Sequence, residues 1–97
     1  MYQSKLASEQ VDLLCDVLVA VEDRETAYRL LDDLCTIAEV QALSRRIAVA
    51  QMLRSGASYQ DIVKKTGAST ATISRVNRCL HYGAEGYTRT LDTLEES

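Results

Sequence analysis

The side chains best able to recognise another molecule are concentrated between residues 58 and 81. Hydroxyl groups and cations are both frequent in this stretch, and they belong to Lys64, Lys65, Ser69, Thr70, Ser74, Arg75 and Arg78. Hydroxyls donate and accept hydrogen bonds at the edges of DNA bases, whereas Lys and Arg neutralise phosphates. These residue types therefore predict a surface that binds a polyanion.

The charge of the chain is divided unevenly along its length. The 97 residues carry 11 basic and 14 acidic side chains, for a formal net charge of −3. Residues 1–43 have a net charge of −6, residues 44–81 of +6, and residues 82–97 of −3. An acidic protein thus contains a basic segment, which favours either an anionic partner or internal pairing with the acidic ends.

Two short helices joined by a tight turn are predicted to carry these side chains. Ser58 and Ser69 are each placed to cap a helix, and Gly67 lies at the turn between them. This arrangement is typical of a helix-turn-helix over about 58–81, in which the second helix enters the major groove of DNA. The alternative is an ordinary helical hairpin with a solvated basic face. The apolar positions that would join the two helices are Ile62, Ala68, Ile73 and Val76.

The rest of the chain is also predicted to be helical, which gives an all-α fold of about six helices in a single domain, residues 1–97. The absence of Pro and the spacing of the apolar residues favour helix nearly throughout. The first helix is expected to start after Ser8, and the others to cover about 24–34, 37–55, 59–65, 70–81 and 87–95. The third helix follows a capping box, Thr36–Glu39, and is expected to bury Val40, Leu43, Ile47 and Ala50.

Two segments of the chain resemble the Trp repressor family. Residues 67–75, Gly-Ala-Ser-Thr-Ala-Thr-Ile-Ser-Arg, look like the recognition-helix region of tryptophan operon repressors, and residues 34–46 resemble the loop and helix that precede it. The spacing from Thr36 to Gly56 also matches, whereas the turn after Gly56 is one residue shorter. The resemblance covers roughly residues 30–82, and the whole chain resembles the YerC/YecD type of these small bacterial proteins.

The resemblance implies a six-helix subunit that forms an intertwined homodimer. In that family the N-terminal helices and the last helix interlock between chains, and two helix-turn-helix units face successive major grooves of double-stranded DNA. The expected function is sequence-specific DNA binding by a cytoplasmic transcriptional regulator, with repression as the expected action. A chain of this size also gains a core by dimerising, which supports the same expectation.

A candidate effector pocket is implied by the same resemblance. In tryptophan repressors two arginines flank the indole ring and a threonine helps to hold the amino acid, and Arg46, Arg75 and Thr36 match these positions. The glycine that follows the second arginine in the family is Val76 here, and a later serine is Cys79. The β-branched side chain of Val76 would occupy the space of the flat ring. The expected effector is therefore a small molecule other than tryptophan, or none.

The residues expected to contact DNA form two groups. Those on the leading turns of the recognition helix would meet base edges, and they are Ser69, Thr70, Ala71 and Ser74. Those expected to contact phosphates are Arg54, Tyr59, Lys64, Lys65, Arg75 and Arg78. No Asn, Gln or Arg projects early on this helix for a bidentate base contact, so sequence preference is expected to depend on water and DNA shape.

An enzyme or a membrane protein fits the sequence less well. His81, the only histidine, lies two residues from Cys79, which points the two side chains to different sides of a helix and disfavours a Cys–His nucleophile. No phosphate-binding loop, zinc-ligand spacing or membrane-length apolar run is present, so no catalytic, metal or cofactor site is predicted. The three cysteines indicate a reducing cytoplasm, with Cys15 and Cys35 in the core.

Two alternatives to DNA-binding regulation of this kind stay open at the level of sequence. One is a redox- or metal-responsive regulator that uses Cys79 and His81. The other is a helical protein-interaction module whose basic segment binds an acidic protein. Analysis of bound metal and of disulfide-linked dimers tests the first, and competition with polyanions in a gel shift tests the second.

Overall fold

Six α-helices follow one another in the computed structural model, which describes residues 2–96. They are α1 (Glu9–Ala20), α2 (Arg24–Leu34), α3 (Ile37–Arg54), α4 (Tyr59–Thr66), α5 (Thr70–Tyr82) and α6 (Gly86–Glu95). No strand occurs among the described residues. The predicted all-α fold is confirmed, and the predicted helix ends lie within one residue of the observed ones.

Side-chain caps fix the starts of four helices. Ser8, Asp23, Ser58 and Ser69 each have an extended backbone, and each side-chain oxygen accepts the amide proton of the residue three positions on. The first amides of a helix have no partner within the helix, so these hydrogen bonds stabilise the observed starts. The start of α6 differs, because Glu85 has a φ of 66° and makes no side-chain cap hydrogen bond.

The chain divides into two units, Met1–Thr36 and Ile37–Ser97. The first unit contains α1 and α2, and neither helix has a buried side chain. Cys15 is exposed and Cys35 is only partly covered, so the prediction that they lie in a core is wrong for this unit. Two helices alone cannot enclose a core, which explains the difference. The single domain expected over residues 1–97 stays a prediction.

A small aliphatic core joins the four helices of the second unit. Each helix supplies at least one buried side chain, and the turn between α4 and α5 supplies another. Fully burying one large aliphatic side chain stabilises a fold by about 1.5–3 kcal/mol, so this core fixes α5 against α3 and α4. The four positions predicted to join the helix-turn-helix are all among the buried residues, which are Val49, Ala50, Ile62, Ala68, Ile73, Val76 and Leu91.

Helix α3 buries a different face from the predicted one. Ala50 is buried as expected, but Leu43 is 44% exposed and Ile47 is 52% exposed, whereas Val49 is completely buried. The prediction that Leu43 and Ile47 lie in the core is therefore wrong within the second unit. Apolar residues occur around much of the circumference of α3, so their spacing alone does not select the buried side. The packing of α4 and α5 selects it.

Candidate nucleic-acid interface

The turn between α4 and α5 is held by hydrogen bonds that begin at Thr66. The Thr66 hydroxyl donates to the carbonyl of Ile62 at 2.7 Å and accepts the amide proton of Ala68 at 3.1 Å. Gly67 ends α4 in the left-handed conformation, with a φ of 74°, which glycine adopts without the steric cost that a Cβ brings. The short turn and the buried Ala68 lie where the sequence places them, as a helix-turn-helix requires.

Helix α5 separates its buried residues from its exposed ones as predicted. Ile73 and Val76 are buried, and they hold the helix on α3 and α4. The opposite face is exposed from the first turn onward, and it presents Thr70, Ala71, Ser74, Arg75 and Arg78. A helix fixed on one side and open on the other has the geometry needed to enter a major groove.

The hydroxyl of Ser69 is used within the helix that it precedes. Its Oγ accepts the amide proton of Thr72 at 3.1 Å and donates to the Thr72 hydroxyl, also at 3.1 Å. The Ser69 hydroxyl thus donates one hydrogen bond and accepts another, both with Thr72. The residue fixes the leading end of α5, which is the part of the helix that carries Thr70 and Ala71.

A groove of about 280 Å³ brings together residues of α4 and α5. It is lined by Tyr59, Gln60, Val63, Lys64 and Thr70, three of which are predicted site residues. Gln60 and Val63 were missed by sequence reasoning. The signal for Gln60 was available, because it lies four residues before Lys64 and therefore on the same face of α4.

The cations of the helix-turn-helix are not neutralised within the described part of the chain. Lys64, Lys65, Arg75 and Arg78 are exposed, and none of them makes an ion pair with a residue of 2–96. Hence the basic segment keeps most of its charge available for a partner, as the first of the two sequence-based interpretations requires.

Arg54 has a different role from the one predicted. Its guanidinium Nη2 donates to Oδ1 of Asp92 and lies 3.9 Å from Oε2 of Glu95, both on α6. The side chain is only 23% exposed. Arg54 therefore ties the end of α3 to α6, and its prediction as a phosphate contact is wrong because acidic partners on α6 already hold the guanidinium.

The candidate effector residues of the second unit differ in how far they are covered. Val76 is 1% exposed and packs in the core of the second unit. Arg46 is half-buried and Arg75 is exposed. Cys79 is exposed and lines a cleft of about 390 Å³ together with Ile47, Ala84, Gly86, Tyr87 and Thr90. Thr36 lies directly before α3 and belongs to the first unit.

The remaining sequence alternatives concern cysteines, metals and membranes. Cys15, Cys35 and Cys79 are all unpaired. Between residues 2 and 96 no group of three or more His, Cys, Asp or Glu side chains is placed to hold a metal ion. None of the helices described is long and apolar enough to span a bilayer.

Comparisons with known proteins agree with this geometry. The family model of the Trp repressor protein matches residues 9–95. The chain is 48% identical over 97 residues to the uncharacterized protein YerC of Bacillus subtilis (strain 168), covering 100% of this chain and 93% of YerC. Its fold is similar to a candidate Trp repressor of Staphylococcus aureus, with a TM-score of 0.88 and 46% identity, over 94% of this chain and 91% of that one. A TrpR-like protein of Eubacterium eligens ATCC 27750 has a TM-score of 0.88 and 48% identity, over 94% of each chain. The chain therefore belongs to the Trp repressor family.

Proposed function

We propose that the protein is a transcriptional regulator that binds double-stranded DNA with α5 in the major groove. The observation that carries this proposal is the exposed face of α5, which is fixed from behind by Ile73 and Val76. The cations that flank this face make no ion pair within residues 2–96. Membership of the Trp repressor family supports it and makes repression the expected action. Such a role places the protein in the bacterial cytoplasm, where the DNA is.

Base reading is assigned to the small residues at the start of α5. The hydroxyls of Thr70 and Ser74 can donate or accept at base edges, and Ala71 can contact a thymine methyl. Ser69 contributes by holding this end of the helix in place. None of these side chains makes the bidentate contact typical of Arg, Asn or Gln, so part of the sequence preference comes from ordered water and DNA shape.

Phosphate binding is assigned to the cations on both helices. Lys64 and Lys65 lie in the last turn of α4, and Arg75 and Arg78 lie on the exposed side of α5. Tyr59 adds a hydroxyl in the groove that also contains Lys64. These contacts supply affinity that falls steeply as salt rises, and they carry little sequence information.

A homodimer is proposed because apolar surface is left uncovered in both units. In α1 the stripe formed by Leu14, Val17 and Leu18 is 38–52% exposed, and in α3 Leu43 and Ile47 are similarly uncovered. Several large apolar side chains exposed along one helix are typical of a surface that another protein covers. A second copy that covers them would present two copies of α5, which suits an operator with two half-sites about one helical turn apart.

Any effector is proposed to be a molecule other than tryptophan. Val76 packs in the core, so a ligand in the family's position would have to displace a completely buried side chain. The guanidinium groups of Arg46 and Arg75 could still bind a carboxylate. Regulation without an effector is the other outcome that the experiment below distinguishes.

Selection of bound duplexes from random DNA, with and without added amino acids, tests the proposed function. We expect recovery of a sequence with two-fold symmetry, and no stimulation by tryptophan. In follow-up binding assays, Lys64→Ala should weaken operator and random duplexes alike and reduce the salt slope by about one. Arg29→Ala is the control, because Arg29 pairs with Glu25 outside the helix-turn-helix. Affinity that does not change with salt, or an enriched pool without a shared sequence, would contradict the proposal.

A further inference from the structure

We propose that Arg45 is a positioning residue that braces the turn of the helix-turn-helix and thereby sets the orientation of α5. Its Nε–H donates to the carbonyl of Thr66 at 3.3 Å, across 21 residues of sequence. This hydrogen bond connects the middle of α3 to the last residue of α4. The inference rests on the proposed function, because the orientation of α5 matters only if this helix reads DNA.

A hydrogen bond to Thr66 can restrain the turn on both sides of Gly67. Its hydroxyl already holds the last turn of α4 and the amide of Ala68, so it couples the two sides of Gly67. The carbonyl groups in the last turn of a helix have no partner within that helix. Arg45 supplies a donor for one of them.

The surroundings of Arg45 explain why its guanidinium is used in this way. Arg45, Ala48 and Met52 of α3 line one cleft together with Lys65 and Thr66 of α4. In the described residues Arg45 has no carboxylate within ion-pair distance. Its hydrogen bond therefore goes to a neutral backbone oxygen, which is a structural contact rather than a charge pair.

Loss of this brace should affect base reading more than phosphate binding. Gly67 has a φ of 74° and open space where its Cβ would be, so no side chain packs against the turn at this residue to support the hydrogen bond from Arg45. A small change of angle at Gly67 moves Thr70 and Ser74 away from base edges, whereas long Lys and Arg side chains can follow the phosphates. The ratio of operator affinity to random-duplex affinity is the quantity that should fall.

The competing explanation is that Arg45 acts through its charge, and two substitutions of similar size separate the two roles. In Arg45→Gln the side-chain Nε2 follows Cδ just as Nε does in arginine, so a neutral donor stays at the same place. In Arg45→Met both the donor and the charge are lost. We expect Arg45→Met to lower the operator-to-random ratio about fivefold, the net worth of one hydrogen bond, and Arg45→Gln to keep the ratio of the unsubstituted protein. Equal losses in the two variants, or weaker binding of both duplexes without a change in ratio, would overturn the proposal.

Hydrogen exchange tests the brace without DNA, so failure of this inference can be told from failure of the proposed function. The amide of Ala68 donates to Thr66 and should exchange about fivefold faster in Arg45→Met, but at an unchanged rate in Arg45→Gln. The amide of Val49, in the middle of α3, reports global unfolding and serves as the reference. Unchanged exchange of Ala68 in Arg45→Met refutes the brace, whether or not the protein binds DNA.

Discussion

Ser69 allows the stability of α5 to be separated from its contact with DNA. Replacement by Ala removes the acceptor for the Thr72 amide, and such N-cap losses destabilise a protein by about 1 kcal/mol. Ser58 provides a matched control on α4, because both serines have φ −73° and ψ 158° and accept an amide proton at 3.1 and 3.2 Å. Ser69→Ala and Ser58→Ala should therefore lower the free energy of unfolding by similar amounts, with a slightly larger loss for Ser69→Ala, which also removes the hydrogen bond to the Thr72 hydroxyl.

Replacement of Ser69 by Asp should keep the stability of the protein and weaken its binding to DNA. Asp caps a helix as well as Ser does, and its charge interacts favourably with the helix N-terminus by about 0.3–1 kcal/mol. The unfolding free energy of Ser69→Asp should thus equal or exceed that of the unsubstituted protein. The same charge about 4 Å from a DNA phosphate in water costs about 1 kcal/mol, which is about fivefold in affinity for each phosphate so placed.

The assays are urea unfolding followed by circular dichroism, and binding of a labelled operator at two salt concentrations. We expect Ser69→Asp to be stable and to bind DNA weakly, with part of the loss disappearing at high salt. DNA binding by Ser69→Asp at full affinity would refute the placement of this helix end on DNA. A loss of affinity in Ser69→Ala far above that in Ser58→Ala, at equal stability, would show that the Ser69 hydroxyl also contacts DNA directly, and would contradict its assignment as a residue that only holds the helix end.

Three further predictions follow from the turn, the apolar stripe and the cap of α2. Gly67→Ala should lower the unfolding free energy by about 1 kcal/mol through its left-handed backbone alone, and Gly67→Asn by less; equal values in a denaturant titration would contradict this. Leu18→Glu should shift the protein from dimer to monomer in analytical ultracentrifugation, whereas Val19→Glu, exposed but outside the stripe, should not; a dimeric Leu18→Glu would exclude α1 from the interface. Hydrogen bonds from the amide and side chain of Thr26 hold the pKa of Asp23 below its ordinary value, so the cap is present above the unfolded-state pKa and is lost as the pH falls through the lowered pKa. Exchange of the Thr26 amide should show this loss at acidic pH, and Asp23→Asn, which caps without titrating there, should not.

Local signals explain why the helix-turn-helix was predictable from the sequence. The caps at Ser58 and Ser69 and the left-handed residue Gly67 each depend on neighbours within a few positions. The inward positions Ile62 and Ile73 follow from the same short-range pattern, because a tight turn leaves two short helices few ways to pack. For this reason the fold and the exposed face of α5 agree with expectation.

Contacts between distant residues explain what the sequence did not reveal. The buried side of α3 is chosen by α4 and α5, so the spacing of Leu43 and Ile47 within α3 suggested the wrong face. The hydrogen bond from Arg45 to Thr66 spans 21 residues, and the ion pair from Arg54 to Asp92 spans 38. Arg45 and Arg54 belong to the same basic segment, residues 44–81, as Lys64 and Arg75, but they bind other residues of the chain. Only the packed structure shows this difference.

Because α1 and α2 have no buried side chains, formation of the proposed homodimer would make the folding of these helices depend on protein concentration. If α1 and α2 gain a core only by association, these two helices fold as the dimer forms. The free energy of association then includes the free energy of folding them. The fraction of subunits able to bind an operator then rises more steeply than in proportion to the amount synthesised. A cell could in this way convert a modest change in expression into a sharper change in promoter occupancy, without any small molecule.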